Sequence, residues 1–519
     1  MTDQPLNVII ISIDTLRADH VGLYGYPLPT TPNIDAFFKK HGVLFDPAFS
    51  VSNCTLPGYT SMFTGLFPTA HDVVAHAPRW PIRNGVQTLA GILHDAGYFT
   101  AQVSTLADYP EHGEHLVEGF DRFEFRELNN KYKIDMGLTE QHQGGLVVPA
   151  PRITVQALDL LEECARSWQD ARKPFFLFIH YWDPHTPYIP PDTFSSFYSE
   201  GRDPRDPRMH MLDALNDCNI GHWLEDWGRK LDSRYKDVTD PKYIVSLYDG
   251  EIAFADHHCG LIFQRMAELD LIEHSMVFLT SDHGETLDET NNLICGQPAM
   301  FSHVGLTNPN HTIPFILHVP GITDGGLKPW AEPACQLDIV PTVLDAIGLE
   351  QELVSGNFDG VSLIPTLKQQ IEFVPALACE LGNGKESIPE YPNDPDHPKH
   401  LACKRQGMLL VENTYHVQRA IRTNRWKYIK KIDSYPSMPS KHLYDLLLDP
   451  REHKNIIDEA SNIGKILDDS LEQWIKLLCQ KHETTDPQKR FGVTLREGFT
   501  HRTRAMYGGF DKDQVFFNN

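Results

Sequence analysis

Three features are scarce or missing in this sequence of 519 residues: an excess of basic charge, paired cysteines and long hydrophobic runs. Lys and Arg together number 46, while Asp and Glu number 70, so the formal net charge is −24. Such a charge repels nucleic acid and anionic membranes at long range, which argues against both as partners. An anionic substrate would need local cations or a metal ion to overcome the overall field.

The cysteine pattern and the hydrophobic runs exclude further classes of protein. The nine cysteines lack CxxC spacing and their number is odd, which argues against a disulfide framework or a structural zinc site. Reduced thiols of this kind are typical of cytoplasmic proteins. The apolar run at residues 8–11 is too short for a signal segment or a membrane span. We therefore expect a cytoplasmic protein of the size of an enzyme, with no membrane association.

Short apolar runs alternate along the chain with segments of helical periodicity. The apolar runs lie at residues 7–14, 99–103, 175–179, 276–280 and 314–319, and helical periodicity is clearest at residues 86–96 and 153–164. Continuous β-branched runs are typical of parallel strands that are buried on both faces. The alternation predicts an α/β fold with a mostly parallel central sheet between layers of helices.

Two polar stretches suggest how the chain is divided. Residues 201–240 are predicted to form a polar insertion or cap, and residues 382–399 a long loop. After that loop, the pattern predicts two antiparallel strands and a helix at residues 463–479. We therefore expect a catalytic α/β domain at residues 1–381 and a smaller C-terminal α+β domain within residues 382–519.

Acidic and histidine side chains follow two of the predicted strands. Asp14 ends the first apolar run, and Asp282 and His283 follow the run at residues 276–280. Ligands gather at the carboxyl ends of strands in parallel sheets. The three side chains could supply oxygens and an imidazole nitrogen to one divalent cation. Taken alone, they could equally be helix caps or turn residues.

One segment, at residues 52–68, reads SNCTLPGYTSMFTGLFP. It resembles the active-site signature of the sulfatase family, a branch of the alkaline phosphatase superfamily. Further similar stretches follow in family order at residues 14–26, 31–35, 183–187, 249–256, 281–285, 313–321 and 419–423. The resemblance implies an alkaline-phosphatase-like fold and the hydrolysis of esters.

The departures from the family pattern bear on the chemistry. Sulfatases convert a signature Cys to formylglycine, but here Thr55 occupies the nucleophile position, and Cys54 lies one residue early. Tyr59 and Thr105 stand where the family has an Arg and a Lys. Formylglycine is therefore not expected, and groups that hold a sulfate dianion are missing. His303 takes the place of a later Lys and could supply a cation or a proton.

The resemblance implies one divalent ion held by Asp14, Thr55, Asp282 and His283. A bound cation can lower the pKa of a coordinated oxygen strongly, and similar activation would make Thr55 a nucleophile. Because His283 replaces a common Asn and Thr15 replaces a second Asp, Mn²⁺ or Zn²⁺ is favoured, with Ca²⁺ as the alternative. A plain helix N-cap is the other interpretation of Thr55.

Further side chains are candidates for contact with the substrate. His185 resembles a substrate-contacting His of the family and could donate a proton. Arg17, Tyr59 and Thr105 are our candidates for substrate binding, although Arg17 could instead pair with Asp19. The remaining histidines that we considered are expected to be structural: His71, His76, His180, His257, His258 and His311.

Together these observations predict a hydrolase that cleaves P–O bonds of phosphodiesters or phosphonate monoesters through a covalent Thr55 intermediate. The missing dianion-binding groups favour a singly charged, small anionic ester, and a homo-oligomer is a further expectation. Three alternatives stay open: a sulfuric ester hydrolase without formylglycine, a catalytically silent binding protein, and transfer to an acceptor other than water.

Overall fold

The structure is a computed structural model. It describes residues 5–75, 81–104, 106, 113–124, 149–186, 188–198, 202–206, 232–291, 293–294, 297–331, 333–368, 407–413, 416–433 and 439–491. The strands are β1 Asn7–Ile13, β2 Val43–Phe45, β3 Ala48–Phe49, β4 Phe99–Val103, β5 Arg122–Glu124, β6 Phe175–Tyr181, β7 Ser275–Thr280, β8 Leu293–Ile294, β9 Gln297–Pro298, β10 Phe315–His318, β11 Lys328–Trp330, β12 Ala334–Cys335, β13 Gly407–Glu412, β14 Val417–Thr423, β15 Trp426–Asp433 and β16 Lys441–Asp445.

The α-helices are α1 Pro32–His41, α2 Thr55–Thr64, α3 Pro68–His71, α4 Leu89–Asp95, α5 Ala150–Ala171, α6 Pro241–Glu268, α7 Asn308–His311, α8 Ile339–Ile347, α9 Glu350–Ser355, α10 Ile364–Leu367, α11 Ser461–Lys481 and α12 Pro487–Phe491. Short 3-10 helices lie at Ala18–His20, Gly22–Tyr24, Glu114–Leu116, Asp192–Phe194, Ser233–Tyr235, Ile272–His274 and Gln336–Asp338.

Eight strands form the central sheet, in the order β11-β2-β10-β7-β1-β6-β4-β5. β1 pairs in parallel with β6 on one side and with β7 on the other. Within the described residues, β10 alone runs against its neighbours β7 and β2 in this sheet. The prediction of a mostly parallel sheet between helices is confirmed.

The central strand β1 is buried on both faces, as its unbroken apolar run predicts. Ile9 and Ile11 enter the core that contains α1, α5 and α6, while Val8 and Ile10 enter the opposite core with α2 and α8. Successive side chains of a strand alternate between the two faces of a sheet, so each face needs its own layer of helices.

The parallel register brings the polar strand ends together. Ser12 pairs with His180 of β6 and with Thr280 of β7. Asp14, which follows β1, and Asp282, which follows β7, therefore leave the sheet at the same edge. This edge positions the candidate site.

The C-terminal part is larger than the sequence predicts. We expected two antiparallel strands, but the structure has four, in the order β13-β14-β15-β16, packed against α11. The prediction missed β13, whose apolar run is short, and it did not separate β14 from β15. An isolated bridge between Ser52 and Val411 joins this sheet to the segment that precedes α2.

The predicted boundaries of the domains and of the polar insertion fall largely outside the described residues. Residues 369–406, which include the predicted loop, and residues 207–231 of the insertion are not described. The division at residue 381 therefore stays a prediction. Among the described helices, none combines the length and the apolar character that crossing a membrane requires.

Asp359 links the end of α11 to the segment that follows α2. Its carboxylate contacts Lys481 Nζ and His482 Nε2, each at 2.8 Å, and accepts the Phe67 N–H at 2.9 Å. Burial opposes ionisation, but Lys481 and His482 outweigh it and hold the pKa of Asp359 well below its usual range. The ionised carboxylate thus stabilises the folded chain above the pKa of the unfolded state.

We predict that Asp359→Asn lowers the free energy of unfolding by about 2 kcal/mol at pH 7, since hydrogen bonds to a charged group are lost. The parent should lose the stabilisation by the ionised Asp359 carboxylate as the pH falls below about 4, whereas the variant has no carboxylate at this position to protonate. Denaturant unfolding at several pH values measures both effects. Exposed Asp95→Asn is the control, and equal acid sensitivity of parent and Asp359→Asn would contradict the assignment.

Candidate active site

Three fully buried side chains form a compact cluster at the shared strand edge. One ligand atom from each of Asp14, Asp282 and His283 lies within 4.8 Å of the others. His283 Nε2 is 3.3 Å from Asp282 Oδ2 and 3.9 Å from Asp14 Oδ1. The structure thus brings together the three side chains that the sequence singled out.

The carboxylates of this cluster lack ordinary partners. Within the described part of the chain, neither oxygen of Asp14 and not Oδ2 of Asp282 has a hydrogen-bond donor. Burial raises the pKa of Asp14 well above its usual value, and the Asp282 charge raises it further. Burial likewise raises the pKa of Asp282 to about 6. Buried carboxylates without donors are costly unless a cation neutralises them, so this donor set fits a divalent ion.

His283 has the tautomer that a metal ligand needs. Its Nδ1 donates to the Gly284 carbonyl oxygen at 2.8 Å, which leaves Nε2 as the nitrogen with the lone pair. Burial and the neighbouring His303 lower the pKa of His283 well below its usual value, so the ring is neutral. A neutral imidazole whose other nitrogen is fixed by a carbonyl is a common arrangement around metals.

Thr55 joins this cluster from the first turn of α2. Its Oγ1 is 3.3 Å from His283 Nε2, and the N-cap position of the helix belongs to Cys54. Gly58 permits the close approach, because a Cβ there would lie 2.9 Å from the Asp282 carbonyl oxygen. The Thr55 hydroxyl therefore faces the cluster and does not cap its helix.

The turn after β1 is strained where it meets the cluster. Thr15 has φ of 58°, a left-handed conformation that β-branched residues rarely adopt. Its N–H donates to Asp282 Oδ1 at 3.4 Å, and its carbonyl oxygen accepts from the Tyr248 hydroxyl at 2.8 Å. These contacts hold a conformation that costs about 1–3 kcal/mol.

His185 and His303, the two candidates for proton transfer, lie beside the cluster. The ring of His303 is 4.6 Å from the ring of His283 and 5.4 Å from that of His185. Behind it, Glu285 Oε1 is 3.6 Å from His303 Nδ1. Burial raises the pKa of Glu285. The imidazoles of His185 and His303 and this carboxyl group give the site groups that can move protons.

The structure places Arg17 in ion pairs. Its guanidinium binds Asp19 at 2.7 and 2.9 Å, Glu289 at 2.8 Å and the Glu285 carbonyl oxygen at 3.0 Å. Each of the three guanidinium nitrogens thus makes at least one such contact, which corresponds to the ion-pair alternative. Thr105, another substrate-binding candidate, lies outside the described residues.

Tyr59 points into the protein rather than toward the cluster. It is fully buried, and its hydroxyl lies 2.9 Å from Ser12 Oγ. Its ring packs edge-on against His180 at 5.1 Å. The side chain therefore packs against the end of the sheet. This position differs from the substrate contact that the sequence analysis expects of Tyr59.

His180 is a site residue that the sequence analysis missed. Its Nε2 is 3.6 Å from Asp14 Oδ2, and burial lowers its pKa to about 3. We assigned it a structural role because its spacing is uninformative. The signal that could have found it is its position at the end of the strand next to β1.

Comparisons with known proteins show which family and which structures this chain resembles. A family model described as Sulfatase matches residues 6–349. Iduronate 2-sulfatase of Mus musculus is 26% identical over 439 residues, which cover 79% of this chain and 73% of that protein. Choline-sulfatase of Rhizobium meliloti is 23% identical, with coverage of 88% and 83%. The crystal structure of a phosphonate monoester hydrolase of Agrobacterium radiobacter has a TM-score of 0.64 at 19% identity and covers 92% of this chain and 96% of that one.

We predict that Asp14→Asn stabilises the protein in chelator and abolishes its response to metal. The substitution removes a carboxyl group whose ionisation is opposed by burial and by the Asp282 charge, so the melting temperature in chelator should rise by a few degrees. Mn²⁺ at about 100 times its Kd should stabilise the parent by about 2.7 kcal/mol and leave the variant unchanged.

Asp256→Asn is the matched control, because the buried Asp256 carboxylate accepts hydrogen bonds from Asn33 and Ile34. This control should be less stable than the parent and keep the full response to Mn²⁺. A stabilising effect of Mn²⁺ on Asp14→Asn equal to that on the parent would contradict the assignment of the ligand.

Proposed function

Because the chain belongs to the Sulfatase family and is therefore a hydrolase acting on ester bonds, we propose that it cleaves phosphodiesters or phosphonate monoesters through a covalent Thr55 intermediate. The observation that carries this proposal is the hydroxyl of Thr55, 3.3 Å from His283 Nε2 and beside two buried carboxylates, of whose four oxygens three have no hydrogen-bond donor among the described residues. Members of the family generally use a divalent metal ion, and we propose Mn²⁺ or Zn²⁺ here, held by Asp14, Thr55, Asp282 and His283.

A divalent ion at this place would favour ionisation of a nearby hydroxyl and neutralise charge on the reacting ester. Asp14 and Asp282 supply the negative charge that holds it, and Thr55 stands at the amino end of α2, where backbone N–H groups favour a bound anion. The chain thus places its nucleophile where an anionic ester can bind.

In the first step, the Thr55 oxygen attacks phosphorus, forming a Thr55–phosphorus ester bond as the bond to the leaving oxygen breaks. The hydroxyl proton of Thr55 is released to water, and His303 gives a proton to the leaving oxygen. Glu285, behind the ring, orients His303 for this transfer.

In the second step, water attacks phosphorus and the Thr55–phosphorus ester bond breaks. His303, now neutral, accepts a proton from the water, and the Thr55 oxygen regains a proton from solvent. His185, whose ring lies 5.4 Å from that of His303, is assigned to a non-bridging oxygen of the ester in both steps. Each group is thereby restored for another cycle.

The preference for a singly charged phosphorus ester follows from the residues that replace the family's cations. Tyr59 occupies the position of an Arg and is hydrogen-bonded to Ser12, so this position supplies no charge. With fewer cations, a monoanion requires less compensation than a dianion. The resemblance in fold to a phosphonate monoester hydrolase agrees with this substrate class.

Sulfate esters are the second candidate, because the curated relatives that match most of the chain are named sulfatases. A catalytically silent binding protein is less consistent with the buried ligand cluster, whose charges are costly to keep without a cation. A cytoplasmic location and a small anionic ester as partner belong to the same proposal and rest on the cysteine pattern and the site.

We predict that Thr55→Ala lowers kcat for an aryl phosphonate monoester at least about 1,000-fold, since the nucleophile is removed. Rapid quenching of the parent followed by peptide mass spectrometry should find the phosphonyl group on Thr55. Thr64→Ala is the control, because this hydroxyl lies on the same helix and donates to the Thr60 carbonyl oxygen.

The same kinetics should rank phosphonate monoester and phosphodiester above phosphate monoester and aryl sulfate. Fastest hydrolysis of the sulfate would replace the proposed substrate class with the second candidate. A label on another residue, or full activity of Thr55→Ala, would end the proposal of a Thr55 intermediate.

A further inference from the structure

A buried ion pair lies between the C-terminal sheet and the catalytic part of the chain. Lys427 Nζ is 2.9 Å from Glu452 Oε1, and both side chains are fully buried. Burial lowers the pKa of Lys427 to about 8, although Glu452 opposes this shift. A buried ion pair contributes little net stability, because its desolvation offsets the attraction. Stability alone therefore does not account for the pair, and the other contacts of Lys427 and Glu452 indicate what it does.

Those contacts converge on Asn308, the first residue of α7. Its side-chain oxygen accepts hydrogen bonds from Lys427 Nζ at 3.2 Å and from Arg422 Nε at 3.3 Å. Its backbone N–H donates to Glu452 Oε2 at 2.6 Å. Arg422 is itself fixed, with its guanidinium 4.4 Å from the centre of the Phe49 ring. Three charged groups thus hold one residue from different sides.

The short helix α7, which begins at Asn308, packs directly against the loop that carries Asp282 and His283. The Gly284 N–H donates to the Asn310 carbonyl oxygen at 2.9 Å, and Thr286 Oγ1 donates to Asn310 Oδ1 at 2.9 Å. Any Cβ at Gly284 would collide with the Pro309 carbonyl oxygen. Gly284 follows His283, so the position of α7 sets the backbone that carries this ligand.

We propose that Lys427, Arg422 and Glu452 are positioning residues for the loop at residues 282–285 and act on it through Asn308. The C-terminal sheet is then part of the catalytic apparatus. This inference rests on the proposed function for its catalytic consequence, since displacement of reacting groups by about 1 Å can cost a large factor in rate. Its structural content, the hold on Gly284, is independent of substrate.

Asn308→Ala removes the side-chain acceptor, whereas Asn308→Asp keeps it. In Asn308→Ala, we expect the Gly284 amide to exchange hydrogen about tenfold faster, because the side-chain hydrogen bonds from Lys427 and Arg422 no longer hold α7. Mn²⁺ affinity should weaken by about 10–100-fold, with a similar loss of kcat, as for other groups behind metal ligands. Asn308→Asp should stay within about twofold of the parent in all three measurements.

Arg425→Gln is the control, because Arg425 lies in the turn between β14 and β15 and pairs with Asp445 of β16 rather than with Asn308. It should leave Gly284 exchange and Mn²⁺ affinity unchanged. If Asn308→Ala folds poorly, the double variant Lys427→Met/Glu452→Gln removes both charges together and should give the same faster exchange.

Unchanged exchange at Gly284 in Asn308→Ala and in the double variant would overturn the proposal. So would equal effects of Asn308→Ala and Arg425→Gln, which would indicate general destabilisation. If the parent binds no Mn²⁺ and hydrolyses none of the esters, the proposed function fails, and the exchange of Gly284 still tests the positioning role.

Discussion

The site depends on the repulsion between two carboxylates that the fold buries at one edge of its sheet. Asp14 and Asp282 are fully buried, and three of their four oxygens have no donor among the described residues. Such an arrangement is unfavourable by itself and becomes favourable with a cation. The neutral imidazole of His283 and the hydroxyl of Thr55 lie at the same point. A cation at this point would therefore neutralise the two carboxylates and position the Thr55 hydroxyl.

The scaffold creates this arrangement through close backbone contacts. Neighbouring parallel strands β1 and β7 bring the two aspartates to one edge, and the left-handed Thr15 turns the chain immediately after Asp14. Gly58 lets the first turn of α2 approach the Asp282 backbone. On the far side, α7 fixes Gly284, and the C-terminal sheet fixes α7. The ligands are thus held by the backbone on both sides.

Local sequence patterns predict the strands that carry the site residues. Unbroken apolar runs predict the strand that precedes Asp14 and the strand that precedes Asp282 and His283. The alternation of such runs with helices predicts the parallel sheet. Tertiary contacts decide the rest. His180 reaches Asp14 only because β6 lies beside β1, and Arg17 binds not only the neighbouring Asp19 but also Glu289, which is distant in sequence. The direction of a side chain such as Tyr59 likewise depends on its packing partners.

The most direct test of the cation's role is anomalous diffraction from crystals grown with Mn²⁺. The account predicts one strong peak among Asp14, Asp282 and His283, within bonding distance of the Thr55 oxygen. A map with no peak there, or with the Thr55 hydroxyl turned away from the ion, would contradict it.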